Sequence, residues 1–308
     1  PVVTPDGTAS TDADRTDTDE PDAPGRTRRE YCYNILVSGL DDDNGGSDTK
    51  KIVKPDVFRF TRGCRRRCVV QIPQSIVDLV SLPRDTLLHN EYRNNKLNFA
   101  YAKGGTELLM EQIENLLGIP VDFYVTVNLK GFIALVDQID GVDFDIPINM
   151  DYDDPYQDLH IHFTKGPRHL NGQEAMEVVR FRHNNDNTGY GGRQDIGRIG
   201  TQQAFLKAVA KQLLQIGNVK NIPALVDIFY TYVKTDLTTG NLVWLGNEAL
   251  NIGTENIHFA TLPGDGSGYY NKQSVYVLDA QATCDLVNEA LNPYNEALTL
   301  EDMDILVP

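Results

Sequence analysis

From Tyr31 onward, short apolar runs of strand length alternate with stretches of helical period. A chain patterned this way hides its apolar faces by laying helices on a sheet, which implies α/β layers around a mixed sheet. Tyr33-Asn34-Ile35-Leu36-Val37-Ser38-Gly39-Leu40 reads as a buried strand, and Ile76-Val77-Asp78-Leu79-Val80 as a second apolar run. From Thr106 the period becomes helical: Leu109, Ile113, Leu116 and Leu117 share one face, and Gly118 closes it. Phe123, Val125, Val127 and Leu129 then alternate with polar residues, the pattern of a strand with one buried face. Phe132, Leu135, Val136 and Ile139 give another helix, and Val142, Phe144 and Ile146 another strand, stopped by Pro147. Asn171 with Glu174 three residues later is a capping-box start for a helix through Val178. Ala204, Phe205, Ala208, Val209 and Leu213 mark a helix; others are expected near 222–234, 241–250 and 279–291, with strands at 257–260 and 275–277.

Two regions depart from this pattern. Residues 1–30 carry Asp12, Asp14, Asp17, Asp19, Glu20 and Asp22 and almost no large apolar side chain. Such a segment cannot offset its ordering entropy by burial, so it reads as a disordered acidic tether before a domain spanning 31–308. Residues 50–68 hold eight basic side chains against one acid, Asp56, and show no clean period. Overall, 28 basic and 44 acidic residues leave a net charge of −16. That argues against nucleic-acid binding, which needs a surplus of cations. No run of about 18 apolar residues is present to span a membrane. The chain starts at Pro1 rather than Met, so an N-terminal targeting or anchoring segment is expected to be missing. The cysteines Cys32, Cys64, Cys68 and Cys284 can pair in several ways. Cys64 and Cys68 lack a His or Cys partner at zinc-finger spacing, so free thiols or a disulfide are favoured over a metal site.

Four constellations could carry chemistry. The loop Asp41-Asp42-Asp43-Asn44-Gly45-Gly46-Ser47-Asp48 follows the first strand, where open α/β sheets commonly bind ligands. Asp41 and Asp48 could both face one hard divalent cation, or the loop could be a solvated turn. Arg180, Arg182 and Arg198, with Arg193 nearby, could grip a pyrophosphate with guanidinium forks, or pair with Glu174, Glu177 and Asp195. Arg84 and Asp85 follow an apolar strand, and a phosphate contact competes there with a structural salt bridge. His160 and His162 alternate on one strand face, but no third metal ligand is evident. A Gly-x-Ser-x-Gly elbow and a P-loop are both absent.

Taken in order, these stretches resemble the LytR-CpsA-Psr family. The resemblance rests on Asn34-Ile35-Leu36-Val37-Ser38-Gly39-Leu40-Asp41, Ser47-Asp48-Thr49, Ser81-Leu82-Pro83-Arg84-Asp85-Thr86 and Lys96-Leu97-Asn98-Phe99-Ala100-Tyr101. It continues through Asn128-Leu129-Lys130-Gly131-Phe132, Leu170-Asn171-Gly172-Gln173-Glu174-Ala175, Val179-Arg180-Phe181-Arg182 and Asp195-Ile196-Gly197-Arg198 with Gln202-Gln203. It implies a three-layer α/β/α sandwich around a mixed central sheet. It further implies a transferase that moves an anionic glycopolymer from a polyprenyl-pyrophosphate carrier to peptidoglycan, with a possible pyrophosphatase side activity. The setting would be the extracytoplasmic face of a bacterial membrane, reached through the missing N-terminal anchor.

By the same resemblance, Asp41 and Asp48 match the acids that hold Mg²⁺, for which Mn²⁺ can substitute. Arg84, Arg180, Arg182 and Arg198 match the arginines around the pyrophosphate, Asp85 joins them as catalytic, and Lys96, Gln202 and Arg193 bind substrate. The polyprenyl tail would lie in an apolar slot formed by residues 123–129 and the 132–139 helix.

Three departures stand out. Thr201 occupies a position where the family usually has Arg, and Asp140-Gly141-Val142 stands for Gly-Gly-Val. Residues 50–78 stretch the interval from Asp48 to Arg84 to 36 positions. An inserted hairpin, a basic patch for the polyanion and a reading-frame error all remain open there. A second functional reading keeps the fold but makes the chain an extracytoplasmic prenyl-diphosphate-binding module with weak pyrophosphatase activity.

Overall fold

The computed structural model describes residues 25–30, 32–41, 51–61, 76–92, 94–156, 158–190, 194–215, 222–249, 252 and 254–308. In chain order these form β1 (Cys32–Asp41), β2 (Lys51–Thr61), β3 (Ile76–Ser81), α1 (Leu97–Leu117), β4 (Phe123–Asn128), α2 (Leu129–Gln138), β5 (Val142–Ile146), β6 (Met150–Asp154), β7 (Leu159–Phe163) and β8 (Gly166–Leu170). There follow α3 (Gly172–Arg180), α4 (Gln194–Gln215), α5 (Ile222–Tyr232), β9 (Val233–Thr235), α6 (Thr239–Ala249), β10 (Ile257–Thr261), β11 (Gly264–Tyr270), β12 (Gln273–Leu278) and α7 (Ala280–Ala290).

A six-stranded sheet in the order β10-β3-β2-β1-β4-β9 forms the middle layer. The strands β1, β3, β4 and β10 run parallel, while β2 and β9 oppose them. Period-two alternation decides which side chains face which layer. Leu36 and Leu40 of β1 join Val57 and Val80 against Leu109, Ile113 and Leu116 of α1 and Val287 of α7. Ile35 and Phe123 face the other way, toward Leu242 and Leu245 of α6. The expected sandwich around a mixed sheet is therefore the observed one. A second apolar cluster joins α2, α3 and α4 to β5 and β7, with Phe205 packed against Phe132 and Phe144 at ring distances of 5.7 and 5.4 Å.

Several local readings change. The helix expected from Thr106 starts at Leu97 and is broken at Gly104 and Gly105, where Gly105 takes φ 69 and ψ −154. That backbone is open to glycine and strained for other residues. Strand β4 is covered on both faces: Phe123 and Val125 pack with Leu242 and Leu245 of α6, and Tyr124 packs against the cluster that holds α1. Its buried Thr126 meets Ser38 across the strands, Oγ1 to Oγ 3.0 Å. Leu129 belongs to α2, whose Asn128 cap accepts from the Gly131 N–H at 2.8 Å. The capping box at Asn171 and Glu174 is present as expected. In the departure before Val142, Asp140 has φ 62, a left-handed backbone that glycine adopts at lower cost.

The basic segment 50–78 contributes to the sheet at both ends. Residues 51–61 and 76–81 pair antiparallel as β2 and β3, with Arg59 opposite Asp78. Their buried side chains are joined, Nη2 to Oδ2 2.6 Å. At the chain's start, Arg26 pairs with Asp302 at 2.6 Å, and Arg28 Nη2 donates to the Asp122 carboxylate at 2.5 Å. Residues 26–30 therefore lie against the globular body, and residues 1–24 of the expected tether lie outside the described residues. Cys32 and Cys284 are both buried. Cys64 and Cys68 fall outside the described residues.

Candidate active site

The parallel strands all end on one edge of the sheet. Asp41 closes β1, Ser81 closes β3, Asn128 closes β4 and Thr261 closes β10. Three residues past Ser81 stands Arg84, inside a turn closed by the Thr86 N–H donating to the Pro83 carbonyl at 3.0 Å. The Asn98 N–H donates to the Arg84 carbonyl at 2.9 Å, so the start of α1 holds this turn. Asp85 accepts from Asn98 Nδ2 at 3.0 Å and stands 3.5 Å from Lys96 Nζ. Asp85 and Lys96 are thus a half-buried ion pair beside Arg84. The Arg84 Nε is buried and has no hydrogen-bond partner among the described residues. A buried donor left unpaired costs roughly 1–3 kcal/mol, unless a ligand accepts from it.

Helix α4 brings the other arginines to this edge. Its Gln203 Nε2 lies 2.7 Å from the Ala260 carbonyl, 2.8 Å from Ser81 Oγ and 3.0 Å from Thr261 Oγ1. One amide thus fastens α4 to the ends of β3 and β10. The neighbouring Gln202, also buried, donates from Nε2 to the Val179 carbonyl at 2.9 Å and fixes the end of α3. Arg180 follows directly, its Nη1 3.8 Å from Met176 Sδ, and Arg182 stands two residues on. Arg198 precedes Gln202 by one helical turn, so the two share a face of α4, and Arg198 is buried.

Two tyrosines sit among these cations. Burial pushes the Tyr190 phenol up; its bond to Thr201 and the charge of Arg198 act against that. Burial likewise raises Tyr152, helped by Asp154, while Arg182 and Arg180 pull it down. Tyr190 OH lies 2.8 Å from Thr201 Oγ1, and its ring meets Phe181 edge-on at 5.8 Å. The position at which a family arginine was expected is therefore a buried threonine tied to the wall of the site.

Of the residues singled out from the sequence, Arg84, Asp85 and Lys96 stand together just past β3, while Gln202, on the same face of α4 as Arg198, holds the end of α3 that carries Arg180. Asp41 ends β1, next to Leu40, which is in register with Asn128. The Asp41 side chain, Asp48 and Arg193 lie outside the described residues. Sequence reading missed the clamp by Gln203 and the support by Asn98, Tyr152 and Tyr190. The doubled Gln202-Gln203 was the available signal: adjacent helix positions point about 100° apart, so the two amides serve different neighbours.

The two segments expected to line an apolar slot have different surroundings. The 132–139 helix is α2, which closes the second apolar cluster through Val136 and Ile139. A cleft of roughly 450 Å³, its open mouth included, is lined by Tyr33, Ile35, Phe123, Leu237, Asn241, Trp244 and Leu245. It lies between the sheet and α6, and only Phe123 was foreseen.

Comparison with known proteins agrees with this geometry. The model of the LytR_cpsA_psr family matches residues 4–292. The chain is 31% identical over 264 residues to the polyisoprenyl-teichoic acid–peptidoglycan teichoic acid transferase TagV of Bacillus subtilis, covering 82% of this chain and 61% of that protein. It is 32% identical over 212 residues to the TagU transferase of Bacillus cereus, covering 68% of this chain and 66% of that protein. The chain thus spans a little under two thirds of the length of these two relatives. The crystal structure of B. subtilis TagV superposes with a TM-score of 0.67 at 24% identity, over 91% of this chain and 100% of that one.

Proposed function

Because the chain belongs to the LytR-CpsA-Psr family, we propose that it transfers an anionic glycopolymer from a polyprenyl-pyrophosphate carrier to peptidoglycan. The observation that carries the reading is the buried, unpartnered Arg84 Nε at a sheet edge to which α3 and α4 bring three more arginines. A diphosphate supplies the acceptor oxygens that such a site lacks, and guanidinium forks match phosphate geometry. Phosphoryl transfer asks the protein mainly for positioning and charge neutralisation. Here Arg84, Arg180, Arg182 and Arg198 hold the diphosphate while a peptidoglycan hydroxyl displaces the prenyl phosphate. They also stabilise the charge that gathers on the leaving group. Asp85 keeps Lys96 beside Arg84, and Gln202 acts by fixing the backbone that carries Arg180.

We assign Asp41 and Asp48 to Mg²⁺, or Mn²⁺ in its place, because carboxylate oxygens are the donors such hard ions take. When bound, the ion would offset charge on the diphosphate. We place the prenyl chain in the cleft under α6, whose lining includes Ile35 and Phe123. From Ile35 to Asp41 the sheet runs roughly 20 Å, so the chain would extend along β1 from the phosphate end. The reaction belongs at the outer face of a bacterial membrane, where carrier and peptidoglycan meet. Among the described residues no helix is long and apolar enough to cross a membrane.

The test uses a short prenyl pyrophosphate. Mg²⁺-dependent release of phosphate is expected, and Arg182→Ala should abolish it while leaving the fold intact. Lipid binding with no turnover under any divalent cation would replace the transferase by a prenyl-diphosphate-binding module.

A further inference from the structure

Strands β6 and β7 pair as a hairpin with Asp151 opposite His162 and Asp153 opposite His160. An Asp-x-Asp strand thus faces a His-x-His strand, and all four side chains emerge on the same exposed face. His162 Nδ1 is 2.8 Å from Asp151 Oδ1, and its Nε2 is 3.3 Å from Asp153 Oδ1. His160 Nδ1 is 2.5 Å from the same Asp153 oxygen, and its Nε2 is 3.6 Å from Asp158 Oδ1. The ligand atoms of Asp153, His160 and His162 lie within 4.8 Å of one another. The third ligand that the sequence did not reveal is Asp153, brought in by the strand pairing.

We infer that this hairpin binds one borderline divalent cation of the Zn²⁺ class through His162 Nε2, His160 Nδ1 and the Asp153 carboxylate. The fourth position is left to water. Bonds of about 2.0–2.1 Å in a tetrahedron put ligand atoms about 3.3–3.4 Å apart. The His162 Nε2 to Asp153 oxygen distance of 3.3 Å matches that edge, and the 2.5 Å contact of His160 Nδ1 with the same oxygen opens by a small side-chain rotation as the ion replaces the shared proton. The hydrogen bond that His162 Nδ1–H donates to Asp151 Oδ1 fixes the tautomer that leaves the Nε2 lone pair for the metal. This is the carboxylate–imidazole support that metal-bound histidines use. Two imidazoles with a carboxylate suit Zn²⁺, Co²⁺ or Ni²⁺ better than Mg²⁺, which takes oxygen. The site is therefore chemically distinct from the one assigned to Asp41 and Asp48, and it does not depend on the transferase reading.

The hairpin is held firmly enough to present a fixed ligand set. Asn184 Oδ1 accepts from the Asp151 N–H at 2.8 Å, and Asn185 Oδ1 from the Asp153 N–H at 2.7 Å. Both asparagines belong to the loop that follows Arg182. Between the two aspartates, Tyr152 projects to the opposite face and meets His183 edge-on at 5.6 Å. A cation on the outer face thus stiffens the strand whose inner face lines the arginine cluster.

The experiment is calorimetric titration of chelator-stripped protein with Zn²⁺ in millimolar Mg²⁺, repeated with Co²⁺ and read by visible absorption. One equivalent should bind, with a cobalt spectrum of tetrahedral nitrogen and oxygen ligation. His162→Ala should abolish binding, and Asp151→Asn should weaken it about 10- to 100-fold. His89→Ala, an exposed histidine paired with Asp304, should change nothing. The substituted side chains are exposed, and circular dichroism checks that each variant folds. Absence of saturable binding overturns the inference, as does binding of equal strength in a His160→Ala, His162→Ala double variant.

Discussion

Gln203 is where the site's architecture is most exposed to a single change. Its amide nitrogen meets three oxygens, at 2.7, 2.8 and 3.0 Å, and its two hydrogens can satisfy at most two of them fully. Gln203→Leu keeps the volume and removes both donations. Each lost hydrogen bond is worth about 0.5–1.5 kcal/mol, and a buried acceptor stranded by the change costs about 1–3 kcal/mol instead. The acceptors are the Ala260 carbonyl, the Thr261 hydroxyl and the fully buried Ser81 hydroxyl, so a loss of about 2–4 kcal/mol is expected in urea unfolding, at unchanged m value. The functional effect follows from geometry. Arg198 and Gln202 ride on the same helix, and a misplacement near 1 Å can cost about 100-fold in rate. Diphosphate turnover should therefore fall about 10- to 100-fold in protein shown to be folded. Stability within 0.5 kcal/mol of the parent (roughly the error of such measurements) would refute the clamp. Lost stability with unchanged turnover would refute its positioning role.

Three other changes probe separate features. Asp78→Ala strands the buried Arg59 between β2 and β3, and urea unfolding should show about 3–5 kcal/mol lost, since an uncompensated buried charge remains. Gly197→Ala places a methyl 2.3 Å from the Tyr190 ring. It should cost about 1–3 kcal/mol by overpacking, and Tyr190→Phe, which keeps the ring and loses the Thr201 bond, should cost less in the same assay. His169 on β8 is held up in pKa chiefly by its hydrogen bond to Asp143 on β5. Its contribution to stability is complete below the unfolded value near 6.5 and is lost as pH rises through the higher folded value. An NMR titration of the His169 ring should give a midpoint above 6.5, and Asp143→Asn should lower it.

What the sequence made legible was whatever obeyed a period or a cap. Strand β1, the 171–180 helix with its capping box and the α4 face of Phe205 and Val209 all declared themselves in that way. Strand β2 did not: its Lys and Arg residues break the alternation, and one of them, Arg59, is stable in the sheet only because Asp78 arrives from β3. The site divided along the same line. The arginines could be named through the family resemblance, since their own spacing left phosphate contact and ion pairing with Glu174, Glu177 and Asp195 equally open. Their gathering depends on Gln202 and Gln203, whose partners are a carbonyl at Val179 and atoms of β3 and β10, and no local pattern announces a contact 122 positions away. Asp153 was missed as a ligand for the same reason, since only the register of β6 on β7 brings it to the histidines.

The register of β2 has a consequence for what the edge can admit. Ser81 lies opposite Asp56 of β2, which lies opposite Val37 of β1, so β1 runs four residues beyond the end of β3. The ends carrying Asp41 and Ser81 are therefore separated by two strand spacings, about 9–10 Å, and by about 13 Å along the strands. The rim is a step rather than a straight edge, and a ligand that touches both strand ends must reach about 16 Å across it.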